Sequence, residues 1–437
     1  MQDRCGKFRC EMCCYCGHSD TVVSQVSLVN VSSFSSRVVL WRSCKEVRWS
    51  QGTPPRKPKM HPRLFLLLVL AVSTSATTVP REPCIVIADV GGDDGLALLL
   101  ALASTELEIL GVASSFGSHS DVRQTSANAK TLMAAAYHVP VYVGSRVPYG
   151  GSTRDPVPDG SFMHGADGFG GLGGSVSDCD ASSAVQPSAS EWMVSTIRAA
   201  PGQVTILCFS PLTNLALALA LEPSLPRLVR RVILMGGALA HAGNASPLAE
   251  ANFAHDAAAA KAVLDAWAAH TATDVHQLVV LPLDVTHQAL LSVELQAGLR
   301  SRGGPAAQLA ARAFAVYQDG YCRYGQMCDG APVHDAMVVA FATHPHLFPR
   351  VETKPLQVVV DATGASGAAH GMTFVDRRPL PPGSGTNVSI VMSVEAHAFV
   401  ELLVERVACV VPYVSEALRW EAVADCVRVW RGGDIRQ

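Results

Sequence analysis

The sequence predicts an α/β fold, an open and mostly parallel twisted sheet with helices on both faces, and three observations support this prediction. From residue 82 onward, short apolar runs alternate with segments of helical periodicity, which is typical of consecutive strand-helix units. Alanine, valine, leucine and glycine are abundant and aromatic residues make up only 6% of the chain, as suits helices packed on parallel strands. Polar motifs directly follow several strands, so we expect the active site at the carboxyl ends of the strands.

The predicted elements follow one another without a long polar linker, so we expect residues 82–435 to form one domain. The first strand, 84–89, is a short apolar run that leads through a polar turn into an apolar helix at 96–103. The further strands are predicted at 110–115, 139–143, 204–209, 232–235 and 278–283. The further helices are predicted at 121–136, 190–199, 214–221, 255–269 and 336–342.

Composition and charge limit the partners that we expect. The chain has 437 residues, of which 49% are hydrophobic and 16% are charged, with a formal net charge of −3. This length and apolar content suit a globular protein with a large core. Because there is no basic excess, the sequence favours neither nucleic acid nor an anionic membrane surface as a partner.

The first 76 residues differ from the rest of the chain. Residues 1–59 contain clustered cysteines but no second ligand pair at zinc-finger distance, which favours a poorly ordered or spurious leader over a small zinc or disulfide knot. Residues 60–76 begin at Met60 with a basic stretch, a short apolar run and small residues, a pattern typical of a secretory signal peptide. The alternative is an internal buried helix. The apolar run is too short to cross a bilayer comfortably, so we expect a secreted protein that begins near Thr77 and has no stable membrane anchor.

Secretion permits disulfide bonds, and the predicted mature chain keeps an odd number of cysteines, so not all of them can pair within the chain. Cys322 and Cys328 lie close in sequence and are a candidate pair. Cys208 lies within an apolar strand and is expected to be an unpaired core thiol. Asn387 begins an exposed-looking sequon and is a candidate glycan site.

Three carboxylates crowd the turn after the first predicted strand. Asp89 ends the strand, and Asp93 and Asp94 follow before the helix. Because like charges repel, either one of these groups stays protonated or a cation neutralises the set. A structural alternative is that Asp93 and Asp94 only stabilise the helix N-terminus. Carboxylates together with a backbone carbonyl form a hard-oxygen site that suits Ca²⁺ and suits Mg²⁺ less, and no cysteine-histidine pattern indicates zinc.

Further polar motifs are expected at the same edge of the sheet, because they follow strands or open a helix: 117–120, 210–214, 236–237 with 243–252, 284–287 and 334–335. In order and spacing, the whole set resembles the inosine-uridine-preferring nucleoside hydrolase family. The resemblance runs from about Cys84 past His334, which is nearly all of the predicted mature chain. It implies the family's α/β fold and hydrolysis of the N-glycosidic bond of ribonucleosides to free base and ribose. It also implies a role in purine or pyrimidine salvage and a homodimer or homotetramer.

The resemblance also implies a role for each motif. The predicted Ca²⁺ ligands are oxygen donors from three parts of the chain: Asp89, Asp94, Asp335 and the carbonyl of Thr213. Asp89 is also the predicted general base that activates a Ca²⁺-bound water. The predicted substrate-binding residues are polar or line the sugar site: Asp93, Asn244, Glu250, Asn252, His164 and Met235. His334 is the predicted proton donor to the leaving base.

These roles have structural alternatives. Thr213 is alternatively an ordinary helix N-cap, and His334 a structural histidine. Glu250 and Asn252 are alternatively polar groups of a loop. Tyr317, Tyr321 and Tyr324 precede His334 and either stack on a nucleobase or pack in the core or on the surface.

The glycine-rich stretch 162–173 contains a G-x-G-x-x-G pattern, but it neither follows a strand nor opens a helix, which argues against dinucleotide binding. It resembles the family's mobile loop over the active site, with His164 near the substrate, and its many glycines favour mobility.

Two departures from the family's pattern bear on activity. Ile87 stands where the family usually has an additional aspartate, and Ser118 stands where it usually has an asparagine near the ribose. The predicted metal ligands are nevertheless present, so we expect a Ca²⁺-dependent nucleoside hydrolase. The alternative is a catalytically weakened, secreted nucleoside- or calcium-binding protein of the same fold.

Overall fold

The computed structural model describes residues 80–137, 139–151, 156–176, 187–268, 277–325, 327–359, 367–375 and 388–410. They all belong to Thr77–Gln437, the second of two units into which the chain divides. The predicted leader, the predicted signal peptide and the glycan acceptor Asn387 lie outside the described residues.

The strands in chain order are β1 (Glu82–Ala88), β2 (Leu107–Ser114), β3 (Val141–Tyr142), β4 (Thr205–Cys208), β5 (Arg231–Met235), β6 (Gln277–Leu281), β7 (Leu290–Ser292), β8 (Gly330–Pro332), β9 (Arg350–Thr353), β10 (Leu356–Val358), β11 (Thr373–Val375) and β12 (Val388–Ser393). The α-helices are α1 (Gly92–Ala103), α2 (Val122–Ala135), α3 (Ser161–His164), α4 (Ala189–Ala199), α5 (Thr213–Leu221), α6 (Leu225–Leu228), α7 (Ala251–His255), α8 (Ala257–Ala268), α9 (Leu283–Thr286), α10 (Val293–Arg302), α11 (Pro305–Gly325), α12 (Ala336–Thr343) and α13 (Ala396–Ala408). A 3-10 turn spans Pro345–Leu347.

The main sheet has eight strands in the order β3-β2-β1-β4-β5-β6-β12-β9. Its neighbours pair in parallel except β12 and β9, which are antiparallel. The predicted open, mostly parallel sheet is therefore confirmed. The chain moves outward from β1 to β2 and β3 and then returns to place β4 on the other side of β1. The crevice beside such a reversal is where open α/β sheets usually bind their ligands.

Strand β1 shows why the sheet is buried on both faces. Successive side chains of a strand point to opposite faces, so Val86 and Ala88 join one apolar cluster while Ile85 and Ile87 join another. Residues of α1, α11, α12 and α13 complete the first cluster, and residues of α4, α5 and α8 complete the second. Helices therefore cover both faces of the sheet, as predicted.

Helix α1 lies within the first cluster and carries two of the predicted site residues. It packs against α11, α12 and α13, and all of its 12 residues are buried. Small residues allow this close packing, since a Cβ added to Gly95 would lie 3.0 Å from the ring of Phe169. Asp93 and Asp94 thus stand in the first turn of a helix that is enclosed on every side.

The start of α1 and the presence of α7 differ from the sequence prediction for local reasons. Helix α1 begins at Gly92 rather than near residue 96, because the Asp94 carboxylate accepts backbone N–H groups before the helix and stabilises its first turn. The helix predicted at 255–269 is confirmed as α8, and a short helix that was not predicted, α7, precedes it. At Asp256 the backbone leaves the helical region (φ −150°, ψ 73°), and the Asp256 carboxylate accepts the N–H of Ala259.

The region from 290 to 332, which the sequence analysis leaves without assigned elements, is ordered around the site. Strands β7 and β8 form an antiparallel pair, and α11 is a helix of 21 residues. Strands β10 and β11 form a second small sheet. Within the described ranges, no helix combines the length and the apolar character that a membrane span requires.

Candidate active site

The turn after β1 is organised by Asp94. The N–H groups of Asp89 and Gly91 donate to the two oxygens of the Asp94 carboxylate, at 3.1 and 3.0 Å. Both the donors and the acceptor are buried. Asp94 therefore fixes the shape of the turn that presents the other carboxylates.

Asp335 reaches this turn from the N-terminus of α12, far along the chain. One carboxylate oxygen from each of Asp93, Asp94 and Asp335 lies within 4.8 Å of the other two, and all three residues are buried. The hydroxyl of Tyr317 on α11 donates to Asp93 at 3.4 Å. The structure thus brings together two predicted metal ligands and the predicted ribose ligand Asp93.

Asp89 lies beside this trio rather than within it. Its carboxylate accepts the N–H of Ser118 at 2.5 Å, and the Ser118 hydroxyl donates to the Asp89 carbonyl. The Asp89 carboxylate also lies against Gly117, after β2, since a Cβ added to Gly117 would lie 2.2 Å from it. Because its charge raises the pKa of Asp335, it belongs to the same electrostatic group. We call Asp89, Asp93, Asp94 and Asp335 the acidic cluster.

Burial and mutual repulsion disfavour ionisation of the acidic cluster. Burial, and secondarily the charge of Asp93, raises the pKa of Asp94 to about 8. Burial raises the pKa of Asp93 to about 6, and it places the pKa values of Asp89 and Asp335 well above the ordinary range. A bound cation would reverse this, because it favours the charged form of each carboxylate. The donors are all oxygens, so the site fits a hard cation.

Thr213 is the first residue of α5, directly after β4. The N-cap of this helix is Leu212, and the Thr213 hydroxyl instead donates to Asp256 at 2.5 Å. The same Asp256 oxygen accepts the N–H of Tyr149 at 2.7 Å. The hydroxyl is therefore committed to holding Thr213 in place, and its carbonyl as a metal ligand stays a prediction.

His334 lies in a buried hydrogen-bonded chain that we call the relay, formed by Thr286, His334 and Tyr321. The Nδ1 atom of His334 lies 2.7 Å from the Thr286 hydroxyl, and its Nε2 atom lies 2.7 Å from the Tyr321 hydroxyl. Burial holds the pKa of His334 well below its usual range, and burial raises the pKa of Tyr321. The relay is therefore neutral near pH 7.

Two further histidines extend outward from the relay. The ring of His287 lies 5.1 Å from that of His334 and 4.1 Å from that of His241. Both ring nitrogens of His287 are buried and lack a hydrogen-bond partner among the described residues. Burial lowers the pKa of His287 to about 4, so this ring is also neutral.

Two of the predicted ribose ligands, Glu250 and Asn252, lie at the carboxyl end of β5. Glu250 is the N-cap of α7, and its buried carboxylate accepts the N–H groups of Gly237, Asn252 and Phe253 at 2.7–3.1 Å. Burial nevertheless raises the pKa of Glu250 to about 7. The Asn252 amide donates to the carbonyl of Met235 at 3.2 Å.

Asn244 occupies a different position from the buried ribose ligands. It is exposed, and its side-chain oxygen accepts the N–H of Ala251 at 2.8 Å. Its side chain also lies close enough to Tyr321 to offset partly the effect of burial, which raises the Tyr321 pKa. Asn244 therefore connects the predicted ribose ligands with the relay.

His164 is the last residue of α3 and contacts the turn after β1 that carries Asp93 and Asp94. Its Nδ1 accepts the N–H of Gly92 at 3.1 Å, and its ring lies 5.1 Å from that of Tyr317. Accepting this bond requires a neutral ring, and burial lowers the pKa of His164 to about 4. A Cβ on Gly91 would lie 2.4 Å from the His164 ring, so glycine is needed for this contact.

The glycine-rich stretch is a turn built around Asp167. The Asp167 carboxylate accepts the N–H groups of Phe169, Gly171 and Gly173 at 2.7–2.8 Å. Its glycines adopt positive φ at four positions, which lets the backbone turn around the carboxylate: Gly165, Gly168, Gly170 and Gly171. The fully buried ring of Phe169 fixes the turn to α1. Mobility of this stretch stays a prediction.

The predictions for the tyrosines and cysteines have different outcomes. Tyr317 and Tyr321 are buried beside the site, whereas Tyr324 is 63% exposed and packs against Phe162 on the surface.

The predicted Cys322–Cys328 disulfide is confirmed. Cys208 is a free, fully buried thiol, as predicted, and Cys409 is also disulfide-bonded.

Ile87 lies in the apolar core of the sheet. It is fully buried in the second apolar cluster and pairs with Ala113 and Cys208 on the neighbouring strands. An apolar side chain thus occupies the position where a further aspartate was expected, and it contributes packing.

Three residues of the site had no role predicted from the sequence: Asp256, Thr286 and His287. Asp256 holds Thr213 from 43 positions away, and Thr286 contacts His334 from 48 positions away. Thr286 and His287 stand in a polar motif after β6, and that position was the available signal. Asp256 lies inside a predicted helix, where nothing in the sequence marks it.

An open parallel sheet with a buried acidic cluster at its strand reversal defines the class: an α/β protein with a site for a hard cation. Residues 84–401 match the family model described as "Inosine-uridine preferring nucleoside hydrolase", and the chain belongs to that family. It is an enzyme of the nucleoside hydrolase type.

Two curated relatives are similar over most of their length. The chain is 31% identical to "Pyrimidine-specific ribonucleoside hydrolase RihA" of Citrobacter koseri over 321 residues, which cover 73% of this chain and 96% of the relative. It is 29% identical to "Probable uridine nucleosidase 2" of Arabidopsis thaliana over 337 residues, which cover 75% of this chain and 97% of the relative.

Two solved structures share the fold. "Purine-Preferring Ribonucleoside Hydrolase from Gardnerella vaginalis" superposes with a TM-score of 0.65 at 26% identity and covers 75% of this chain and 98% of its own. "Plant nucleoside hydrolase - PpNRh1 enzyme" superposes with a TM-score of 0.64 at 24% identity, covers 75% of this chain and 99% of its own, and shows the fold alone.

Proposed function

We propose that the protein hydrolyses the N-glycosidic bond of ribonucleosides to free base and ribose, with Ca²⁺ as its cofactor. The observation that supports this proposal is the buried acidic cluster, in a chain of the nucleoside hydrolase family. A set of carboxylate oxygens suits Ca²⁺ better than Mg²⁺, because Ca²⁺ accepts more ligands in a flexible geometry. When bound, the ion supplies charge that neutralises the cluster and lowers the pKa of a water that it holds.

Asp89 is the general base in this proposal. The N–H of Ser118 holds one oxygen of its carboxylate, which fixes the orientation of the group. Asp89 then removes a proton from the attacking water while the water oxygen bonds to the anomeric carbon. Asp94, Asp335 and the Thr213 carbonyl complete the set that would hold the ion.

The ribose is held by the predicted ligands around α1 and α7. Asp93 and Glu250 accept from sugar hydroxyls, Asn244 and Asn252 add amide groups, and His164 and Met235 line the same region. The transition state carries positive charge on the sugar, so nearby carboxylates and tight contacts to the hydroxyls stabilise it.

The relay protonates the leaving base. Both ring nitrogens of His334 are engaged, so His334 acts on the base through Tyr321. The Thr286 hydroxyl donates to Nδ1, Nε2–H donates to the phenol oxygen, and the Tyr321 O–H is directed to the base as the N-glycosidic bond breaks. Tyr321 gives its proton to the base and becomes a phenolate that the His334 Nε2–H stabilises, while Asp89 takes a proton from the water. After the products leave, Asp89 loses its proton to solvent and Tyr321 regains one from solvent, so both groups are restored.

The test is release of base from inosine, uridine, adenosine and cytidine, with Ca²⁺ and with a stringent chelator. The panel spans both base classes because the names of similar proteins include pyrimidine-specific and purine-preferring hydrolases. Release that depends on Ca²⁺ and is lost in Asp89→Ala is expected. Nucleoside or Ca²⁺ binding without release from any substrate would instead favour a binding protein of the same fold, which the departures at Ile87 and Ser118 would then explain.

We also propose that the mature protein is secreted and begins near Thr77. The disulfides at Cys322–Cys328 and at Cys409 support this, because disulfides persist in oxidising compartments. Mass spectrometry of the secreted protein should locate its first residue near Thr77, and an intact 1–59 segment would contradict the proposal. A homodimer or homotetramer stays a prediction that light scattering can test.

A further inference from the structure

In the sequence, the Cys322–Cys328 disulfide lies between Tyr321 and His334, whose side chains form the hydrogen bond of the relay. Tyr321 and His334 are 13 positions apart, and 6 of these positions separate the two bonded cysteines. Cys322 directly follows Tyr321 in α11, and Cys328 precedes β8, which leads to His334. The disulfide thus ties the end of the tyrosine-bearing helix to the chain that returns toward the histidine.

Two other bonds hold this return among its described residues. The N–H of Met327 donates to the Tyr321 carbonyl at 3.3 Å, and the Gln318 amide donates to the Met327 carbonyl at 2.7 Å. Tyr321 lies near the C-terminal end of α11, where helix backbone groups lack intrahelical partners and the last turn opens easily. A covalent bond at Cys322 therefore restrains the turn that carries the Tyr321 hydroxyl.

The histidine end of the relay has separate support. Strand β8 pairs with β7, and the Val293 N–H donates to the Asp329 carbonyl at 3.1 Å. His334 is then followed by α12, which packs against α1. The part of the relay that depends on the disulfide is consequently Tyr321.

We propose that the Cys322–Cys328 disulfide is a positioning element for the leaving-group step, so that reducing it weakens protonation of the base while sparing the acidic cluster and the ribose ligands. This inference rests on the proposed hydrolase function. Cys328 is exposed and Cys322 is half-buried, so a small reductant reaches the bond. A dithiol supplies two electrons and two protons, the sulfur–sulfur bond breaks to give two thiols, and the dithiol closes to its own disulfide.

The experiment compares two kinds of leaving group. Inosine and uridine need a proton on the departing base, whereas the p-nitrophenolate of p-nitrophenyl β-D-ribofuranoside leaves without one. Reduction with dithiothreitol should lower kcat/KM for both nucleosides by about tenfold and leave that for the riboside nearly unchanged, because a positioned acid acts only on the first kind. The Cys322→Ser, Cys328→Ser double variant should show the same split.

The double variant also controls for the disulfide at Cys409. Treating it with dithiothreitol should not change the ratio of nucleoside to riboside activity any further, since its relay restraint is already absent. If the variant does not fold, the reduction of folded wild-type protein still gives the ratio.

An unchanged ratio after confirmed reduction of Cys322 and Cys328 would overturn the inference. An equal loss on both kinds of substrate would overturn it too, because it would indicate general destabilisation. Oxidised wild-type protein that releases product from neither kind of substrate with Ca²⁺ present would overturn the proposed function, and the inference with it.

Discussion

The acidic cluster and the relay lie in the same buried site, yet burial has opposite consequences in them. In the acidic cluster, loss of solvent raises carboxyl pKa values, so the groups cannot all be ionised without a cation. In the relay, loss of solvent lowers the pKa of His334 and raises that of Tyr321, and both groups stay neutral. Hydrogen bonds within the chain satisfy the relay, whereas the acidic cluster needs a partner from outside. In the proposed mechanism an ion therefore completes one end of the site, and the protein itself completes the other.

Removing the base from the acidic cluster should have the largest effect on activity. Asp89→Asn keeps the size of the side chain but cannot accept the proton of the attacking water, so kcat should fall by about 10³-fold. Base release from uridine and inosine at saturating Ca²⁺ measures this. Asp265→Asn, at an exposed position on α8 that pairs with Lys261, is the matched control and should keep wild-type activity. A loss of less than about tenfold would remove Asp89 from the proposed role.

Breaking the relay should cost less and should depend on the leaving group. Tyr321→Phe removes the hydroxyl that contacts His334, and kcat/KM for nucleosides should fall by about 10–100-fold. The p-nitrophenyl riboside should be hydrolysed nearly as fast as by the wild type, since its leaving group needs no proton. Tyr324→Phe removes an exposed hydroxyl from the same helix and should change neither rate. An equal loss on both substrates for Tyr321→Phe would contradict the relay.

The ion-free protein should become less stable as pH rises from about 6.5 to about 8, because buried carboxyl groups with raised pKa values lose their protons. The window begins at about 6.5, the ordinary pKa of histidine, so that histidine titration does not contribute. A carboxyl whose folded pKa is raised stabilises the fold below its unfolded pKa, and this stabilisation disappears as pH rises through the folded pKa. With Asp94 at about 8 and Glu250 at about 7, the free energy of unfolding in chelator should fall by about 1–2 kcal/mol by about pH 8. Denaturant unfolding at about pH 6.5 and about pH 8 measures this change in the free energy of unfolding.

Two further observations sharpen this pH test. Histidines with lowered pKa values, such as His164 and His287 at about 4, raise stability with pH only below their ordinary pKa, so they do not oppose the fall in the tested window. Saturating Ca²⁺ should flatten most of the fall, because the ion favours ionised Asp94. A fall of equal size with and without Ca²⁺ would mean that the acidic cluster does not bind it.

The smallest effect concerns the support of the acidic cluster. Asp256→Asn weakens the bond that fixes Thr213, and the Kd for Ca²⁺ measured by calorimetry should rise by about tenfold. Thr213→Val removes the same hydroxyl bond while keeping the carbonyl, so it should cause a similar change. The double variant should then add little to either single variant. Fully additive effects would show that Asp256 does not act through Thr213.

Much of the acidic cluster could be predicted from the sequence, because three of its members lie within one turn and the fourth stands in a recognisable motif. The strand boundaries near the site were also within a few residues, since both faces of the sheet are apolar. The contacts that could not be predicted join residues that are far apart in the sequence. Asp256 resembles any aspartate inside a helical pattern until α5 is placed beside it.

The same reason explains the relay. His334 was assigned as a proton donor, but its neighbours Thr286 and Tyr321 come from elements separated from it by 48 and 13 positions. The role of Tyr321 depends on where the last turn of α11 lies relative to β8, and no local pattern fixes that position. Ile87 shows the reverse case, because the apolar strand alone predicts that its side chain is buried.

Because helix α1 is enclosed, catalysis also constrains the size of side chains along the helix that lie far from the site. The helix is roughly 18 Å long at 1.5 Å per residue, and every residue along it is buried. A larger side chain at Ala101 would have no space to enter, so the helix would shift as a rigid rod and displace Asp93 and Asp94 at its other end. Selection for catalysis should therefore act on small residues that never approach a nucleoside, and drift at these positions should be as restricted as at the carboxylates themselves.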